Sequence, residues 1–296
     1  MHGLKRFLLH FFLPIFIVNG FLSSSLHALE LDPADFIAAP PGTNLVLMYN
    51  QFSSFNSLYS DGNKLPINAG LRTNVNLLRV VHFMEYKGIT FDPQFILPFG
   101  RLEGRRDNSN LGGEGGTGDL LITAAAWLVN KPASGQYFTI IPYLFLPTGS
   151  YDKRSPLNLG ENRYKVALQA GGTVALGPRY LVDYAADVSY FGDNDEFGPT
   201  SQLLEQAPLY QLQTKLSRII NGHWKISTGL TYTYGGEEKV SGVALENEKN
   251  DWRFEVGATL NITPAHQIIA LYKRDLKVEN GFRMDHGLYL RFLYAF

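Results

Sequence analysis

Twelve stretches of this sequence alternate between apolar and polar residues, and the links joining them alternate between long and short. The clearest stretches are residues 162–175, 179–191, 209–218, 224–234, 252–262 and 285–296. In the second of these, Tyr180, Val182, Tyr184, Ala186, Val188 and Tyr190 oppose Leu181, Asp183, Ala185, Asp187 and Ser189. Successive side chains of a strand point to opposite faces, so a period of two marks a strand with one apolar face. Fainter stretches at 43–51, 68–84, 89–103, 118–130, 136–147 and 267–274 complete the twelve. Short links at 86–88, 131–135, 176–178, 221–223 and 263–266 separate long ones at 52–67, 104–117, 149–161, 192–207, 235–251 and 276–283. Such an order makes consecutive strands antiparallel neighbours and puts both ends of the array on the short-turn side. A sheet this wide leaves two unpaired edges unless it closes on itself.

Lipid is the surrounding that makes closure obligatory, because every backbone polar group there needs a partner within the protein. The large aromatics fit a membrane: Tyr180 and Tyr190, Trp224 and Tyr234, and Trp252 lie near strand ends on the apolar parity, where interfacial girdles form. The expected fold is therefore all-β, a transmembrane antiparallel up-and-down β-barrel of about twelve strands over residues 43–296. Short turns would face the periplasm and long loops the exterior.

Residues 1–28 read as an export signal. Lys5 and Arg6 precede an apolar run at 7–18, and Leu26-His27-Ala28 is a candidate cleavage site. The run is shorter than the roughly 20 residues of a spanning helix, so removal is expected. Residues 29–42 carry no strand pattern and are expected to form a periplasmic lead-in; the sequence leaves open whether 30–42 enters the lumen as a plug. The last strand puts Leu288, Leu290, Phe292, Tyr294 and Phe296 on one parity and Tyr289, Arg291 and Leu293 on the other. It resembles the C-terminal strand of bacterial outer-membrane barrels, which the insertion machinery reads. That resemblance implies an insertion signal at Phe292, Tyr294 and Phe296, a Gram-negative outer-membrane location, and the lipid bilayer and the assembly machinery as partners.

Several function classes drop out. A net charge of −1 gives no basic footprint for nucleic acid. The absence of cysteine excludes disulfides, thiolate metal sites and a thiol nucleophile. No cofactor or metal is expected. Past the signal only His82, His223, His266 and His286 remain, with no nucleophile–base–acid spacing around them. Gly112–Gly118 lacks the lysine and the following helix of a phosphate-cradling loop. The acidic and basic residues of 235–249 are expected to form a solvated outer loop.

Two places break the pattern. In 68–84, Leu71, Thr73, Val75 and Leu77 alternate with Arg72, Asn74 and Asn76, but continuing that phase would turn Arg79 outward. A bulge near Leu77 and Leu78 is expected to restore it. Pro93, Pro98 and Pro142 each remove a ladder donor, so irregular pairing is expected there. With the apolar parity facing lipid, the lumen is expected to be lined by Arg72, Asn74, Asn76, Lys165, Gln169, Asp183, Asp187, Lys215, Lys225, Arg253, Glu255 and Arg291. Charges of both signs would then face one another across a pore of intermediate width.

The stretch Gly116-Thr117-Gly118-Asp119-Leu120 opens one strand, and another ends Leu146-Pro147-Thr148-Gly149. This pair is similar to the family of outer-membrane transporters associated with meta-pathway phenol degradation, with Gly118, Asp119, Pro147, Thr148 and Gly149 as the matching positions. The segment 157–162 lacks the second glycine expected in the loop that follows. The resemblance implies passive or facilitated uptake of a small permeant, aromatic or hydrophobic. The alternatives are a closed structural or adhesive barrel and an outer-membrane enzyme that modifies lipid.

Overall fold

The computed structural model describes residues 29–296; the expected export signal lies outside the described residues. Twelve long strands form the wall: β1 (Asn44–Ser60), β2 (Leu71–His82), β3 (Ile89–Gly104), β4 (Leu120–Lys131), β5 (Gln136–Leu146), β6 (Lys165–Ala175), β7 (Tyr180–Phe191), β8 (Leu209–Ile219), β9 (Trp224–Gly235), β10 (Lys249–Thr263), β11 (His266–Lys277) and β12 (Gly281–Ala295). Each pairs antiparallel with its sequence neighbours, and β12 returns to β1 from Leu45↔Ala295 to Tyr59↔Gly281. The barrel is closed through all twelve strands. Among the described residues no helix is long and apolar enough to cross a membrane.

Outward residues are large and apolar, and many are aromatic. Tyr180, Tyr190, Tyr210, Trp224, Tyr234, Trp252, Tyr294 and Phe296 are all exposed near strand ends. The prolines sit where pairing is interrupted. Pro98 marks the point at which β3 parts from β4: the last β3–β4 pair is Ile96↔Leu121, and beyond it β3 pairs with the short strand Gly113–Thr117. The carbonyl of Pro98 accepts the amide of Gly118 at 2.8 Å. At Pro142 the β4–β5 ladder skips, and the amide of Ala125 is taken instead by Asp92 Oδ1 at 2.9 Å.

The expected bulge in β2 is absent: its registers with β1 and β3 run unbroken. Leu71, Thr73, Val75, Leu77 and Arg79 share the inner face throughout, and the alternate residues face outward. The parity assigned to the first half of this strand is therefore reversed. At the long-loop end the lumen is filled with side chains. It holds an apolar cluster in which Leu71, Val75, Leu77, Ile96 and Phe145 join Leu157 and Leu159 of the β5–β6 loop, with Phe282 and Met284. Burying these side chains inside favours the observed phase.

The outer loops are ordered too. Asn194–Phe197, Gln202–Gln206, Glu238–Val240 and Val243–Ala244 form a separate four-stranded sheet. Glu238 and Lys249, expected in solvent, are buried against it and against the wall. Asn247 Nδ2 donates to Glu238 Oε2 at 2.9 Å, and Lys249 Nζ donates to the carbonyl of Asn280 at 2.7 Å.

Candidate functional site

The inner faces of β6 to β10 and β12 bring Lys165, Gln169, Asp183, Asp187, Lys215, Lys225, Arg253, Glu255 and Arg291 into the lumen, on the parity expected for them. Arg72, Asn74 and Asn76 are not there. Arg72 is exposed on the outer face opposite Glu103, and Asn74 and Asn76 are half-buried on the same face. The two asparagines are satisfied outside the barrel, where Asn50 Nδ2 donates to both Oδ1 atoms. Arg79 on β2 faces inward as expected, but through the reversed phase of the whole strand rather than through a bulge, and β11 supplies two inward residues that its unclear phase hid, Lys273 and Asp275.

Charges in the lumen are joined rather than scattered. Glu255 pairs with Lys215 and with Lys273, the latter at 3.3 Å; Asp275 Oδ1 accepts from Arg253 Nε at 2.7 Å. Asp187 accepts from Gln169 and Gln213 at 3.4 Å, and Asp183 accepts from the hydroxyl of Thr173. Low effective dielectric strengthens such contacts and makes an unpaired charge costly.

The segment expected as a periplasmic lead-in occupies the middle of this network. The carbonyl of Leu29 accepts from Gln169 and Gln213, each at 2.9 Å. Glu30 bridges Arg253, at 2.6 Å, and Lys273. Asp32 Oδ2 accepts from Arg291 Nη1 at 2.7 Å and from Tyr49 OH at 3.0 Å. Asp35 lies 3.7 Å from Arg79 and 3.6 Å from Arg291. Between these anchors Ala34 takes a left-handed φ of 66°, and its amide is held by Asp183 at 2.9 Å. Phe36, 2% exposed, lies among Leu47, Trp127, Tyr137 and Ile141, and its carbonyl accepts from Trp127 Nε1 at 2.8 Å. A loop-like stretch without periodicity is thus seated as a plug.

On the short-turn side of the plug lies a cavity of about 830 Å³, walled by residues 33–35 and 37–43 and by Leu47, Val81, Phe83, Lys225, Arg291 and Leu293. The Lys225 ammonium makes no hydrogen bond or ion pair with any described residue, and Arg291 Nε is buried without a partner.

The motif glycines and Asp119 serve the opposite end. Asp119 accepts the amides of Gly149 at 2.9 Å and Glu161 at 2.8 Å, and Thr148 Oγ1 accepts the amide of Leu120 at 3.1 Å. A Cβ on Gly149 would come within 2.7 Å of Gly160 Cα, and one on Gly160 within 2.7 Å of the Gly149 carbonyl carbon. Gly149 and Gly160 therefore cross at a distance that leaves no room for a side chain on either. These contacts fold the β5–β6 loop inward and deliver Leu157 and Leu159 to the apolar cluster. Burial alone would raise the carboxyl of Glu161, but Lys165 and Arg163, at 2.7 and 2.8 Å, outweigh it and hold it down to about 2.

None of the four histidines faces the lumen. His82 is exposed against Asn44, His223 lies in a turn, His266 stacks on Tyr294, and His286 meets the Tyr272 hydroxyl. Among the described residues no group of three or more His, Asp or Glu could hold a metal ion.

Comparison with known proteins agrees with this architecture. Residues 56–292 match the family described as "Putative MetA-pathway of phenol degradation". An outer membrane channel from Pseudomonas putida F1 is 36% identical, covers 90% of this chain and 100% of its own, and superposes with a TM-score of 0.87. The β domain of the Bordetella autotransporter BrkA covers 87% of this chain and 100% of its own at 11% identity, with a TM-score of 0.51, a likeness of fold alone. No curated protein matches the sequence.

Proposed function

We propose, from the premise that this chain belongs to the MetA-pathway phenol-degradation family, that it is an outer-membrane channel whose resting state is occluded. The observation that carries this reading is the nature of the obstruction. The lumen is blocked by residues 29–42, which belong to no wall strand and are held through side chains. A vestibule large enough for a drug-sized molecule lies directly beneath. Withdrawal of the plug and of the β5–β6 loop would open a path past Gln169, Asp183, Asp187, Lys215, Lys225, Arg253, Glu255 and Arg291, with Lys165 at the outer mouth. Passage is passive, and selectivity comes from the lining groups. The permeant is a small aromatic or hydrophobic compound, in keeping with the family and with the apolar cluster at the long-loop end.

That cluster also favours a second reading, a permanently closed structural barrel. Planar-bilayer recordings separate the two. The native protein should give brief conductance steps, and replacing residues 31–38 by a Gly-Ser linker of equal length should prolong them. Absence of steps in both proteins would leave the closed barrel standing. The similar Pseudomonas putida protein is an outer membrane channel, and a phospholipase assay in detergent is expected to show no hydrolysis.

A further inference from the structure

The partners of the lumen charges divide unevenly. Three wall carboxylates, Asp92, Asp183 and Asp187, are satisfied by neutral donors: amides, glutamines and a threonine hydroxyl. Among the described residues the cations are matched otherwise. Arg79 and Arg291 find carboxylates only on the plug, at Asp35 and Asp32. Arg253 and Lys273 share one wall carboxylate each and turn their remaining donors to Glu30. A plug that merely filled space would need no charge there, and burying three carboxylates carries a large desolvation penalty unless each is paired. Instead each of the three meets a cation the wall leaves incompletely matched. Beside them, Phe36 fills an apolar recess formed with Trp127 and Tyr137.

We infer that the lumen wall carries a carboxylate-binding site built from Arg79, Arg253, Lys273 and Arg291, with an adjoining recess for a ring. In the closed state Glu30, Asp32, Asp35 and Phe36 occupy it. When the plug leaves, a small aromatic carboxylate takes their place, supplying in one molecule the carboxylate and the ring that Asp35 and Phe36 supply together. Lys225 and the unpartnered Nε of Arg291 extend the cationic surface into the vestibule. The plug is then a tethered competitor, and its apparent effect is to lower affinity by the fraction of time the site is free. This inference names the permeant of the proposed channel and rests on that reading, but binding can be measured without conduction.

Trp127 reports the event, because its indole N–H donates to the plug at Phe36, whereas Trp224 and Trp252 face outward. Detergent-solubilised protein carrying Trp224→Phe and Trp252→Phe is titrated with sodium benzoate and, separately, with the neutral benzyl alcohol. A saturable emission change with benzoate alone is expected. Adding Glu30→Gln, Asp32→Asn and Asp35→Asn should tighten benzoate binding, measured by calorimetry, by about tenfold or more. An equal response to benzyl alcohol overturns the inference, as does absence of benzoate binding in the triple variant. Should that variant lose its heat-modifiable folded band, Lys273→Gln with Arg291→Gln in the native plug background decides: benzoate binding should fall about tenfold, and unchanged binding overturns the site. Benzoate binding with no conductance in bilayers would count against the channel reading alone.

Discussion

Replacing Asp119 by alanine should loosen the outer closure of the barrel without unfolding the wall. Asp119 is 6% exposed and accepts two backbone amides, from Gly149 and Glu161, across the base of the β5–β6 loop. Hydrogen bonds to a charged group contribute about 1.5–3 kcal/mol each. Burial raises the carboxyl above its usual range, against both amides, so part of that gain offsets desolvation. A net loss of about 3 kcal/mol is reasonable, and it leaves two amides unpartnered. The loop is also anchored by Leu157 and Leu159, both nearly fully buried, at about 1.5–3 kcal/mol apiece. Losing about 3 kcal/mol raises the open population about a hundredfold, yet the leucines keep it a minority. The variant should therefore show more frequent but still brief openings in planar bilayers. Hydrogen exchange should accelerate at the amides of Gly149 and Glu161, while the β9–β10 ladder keeps its protection. The milder change Asp119→Asn retains one acceptor and should fall between the alanine variant and the native protein. Unchanged exchange at those amides, or continuous opening from the single substitution, would refute the reasoning.

Three further outcomes follow from the same geometry. Phe36→Ala removes a buried ring at a cost of about 3 kcal/mol and should free the plug, seen as a red shift of Trp127 emission in the single-tryptophan background. Glu238, fully buried, is pushed up to about 7 by that burial, with Arg163 and Asn247 acting against it. A carboxyl whose folded value exceeds its ordinary 4.5 stabilises the fold below that value and loses the contribution as pH rises towards 7. The loss is on the order of 3 kcal/mol, so the outer loop sheet should be cut by protease faster at pH 8 than at pH 5.5, and Glu238→Gln should abolish the difference. Substituting Phe296 by serine should reduce the folded, heat-modifiable fraction in the outer membrane if the last strand is read during insertion; an unchanged fraction would count against that role.

The sequence was readable where water lies on one side of the wall and lipid on the other. On β6 to β10 and on β12 the polar parity turned inward as periodicity implied. The rule failed at β2 because both of its sides depart from that contrast. Leu71, Val75 and Leu77 face an apolar interior made by a folded-in loop, and Asn74 and Asn76 are satisfied by Asn50 on the outside. No local pattern reports that a loop more than seventy residues away will fill the lumen. The plug was hidden for a related reason. Glu30, Asp32 and Asp35 look like ordinary surface acids until Arg253, Lys273 and Arg291 are brought around them. Glu238 and Lys249 are buried rather than solvated because the loops above the wall build a sheet of their own.

Asp32 and Arg291 are 259 residues apart in sequence, and Arg291 lies on the strand that seals the barrel against β1. The plug's partners are thus assembled only when the final seam is made. Before that moment the cations of β10, β11 and β12 have no complete set of carboxylates, and the segment ahead of β1 has no cavity to enter. Seating of the plug is therefore expected to follow closure of the seam, across which its contacts form a latch. It binds the first strand, through Tyr49 and Asp32, to the last, through Arg291, so that a barrel joined in the wrong register would be left without it.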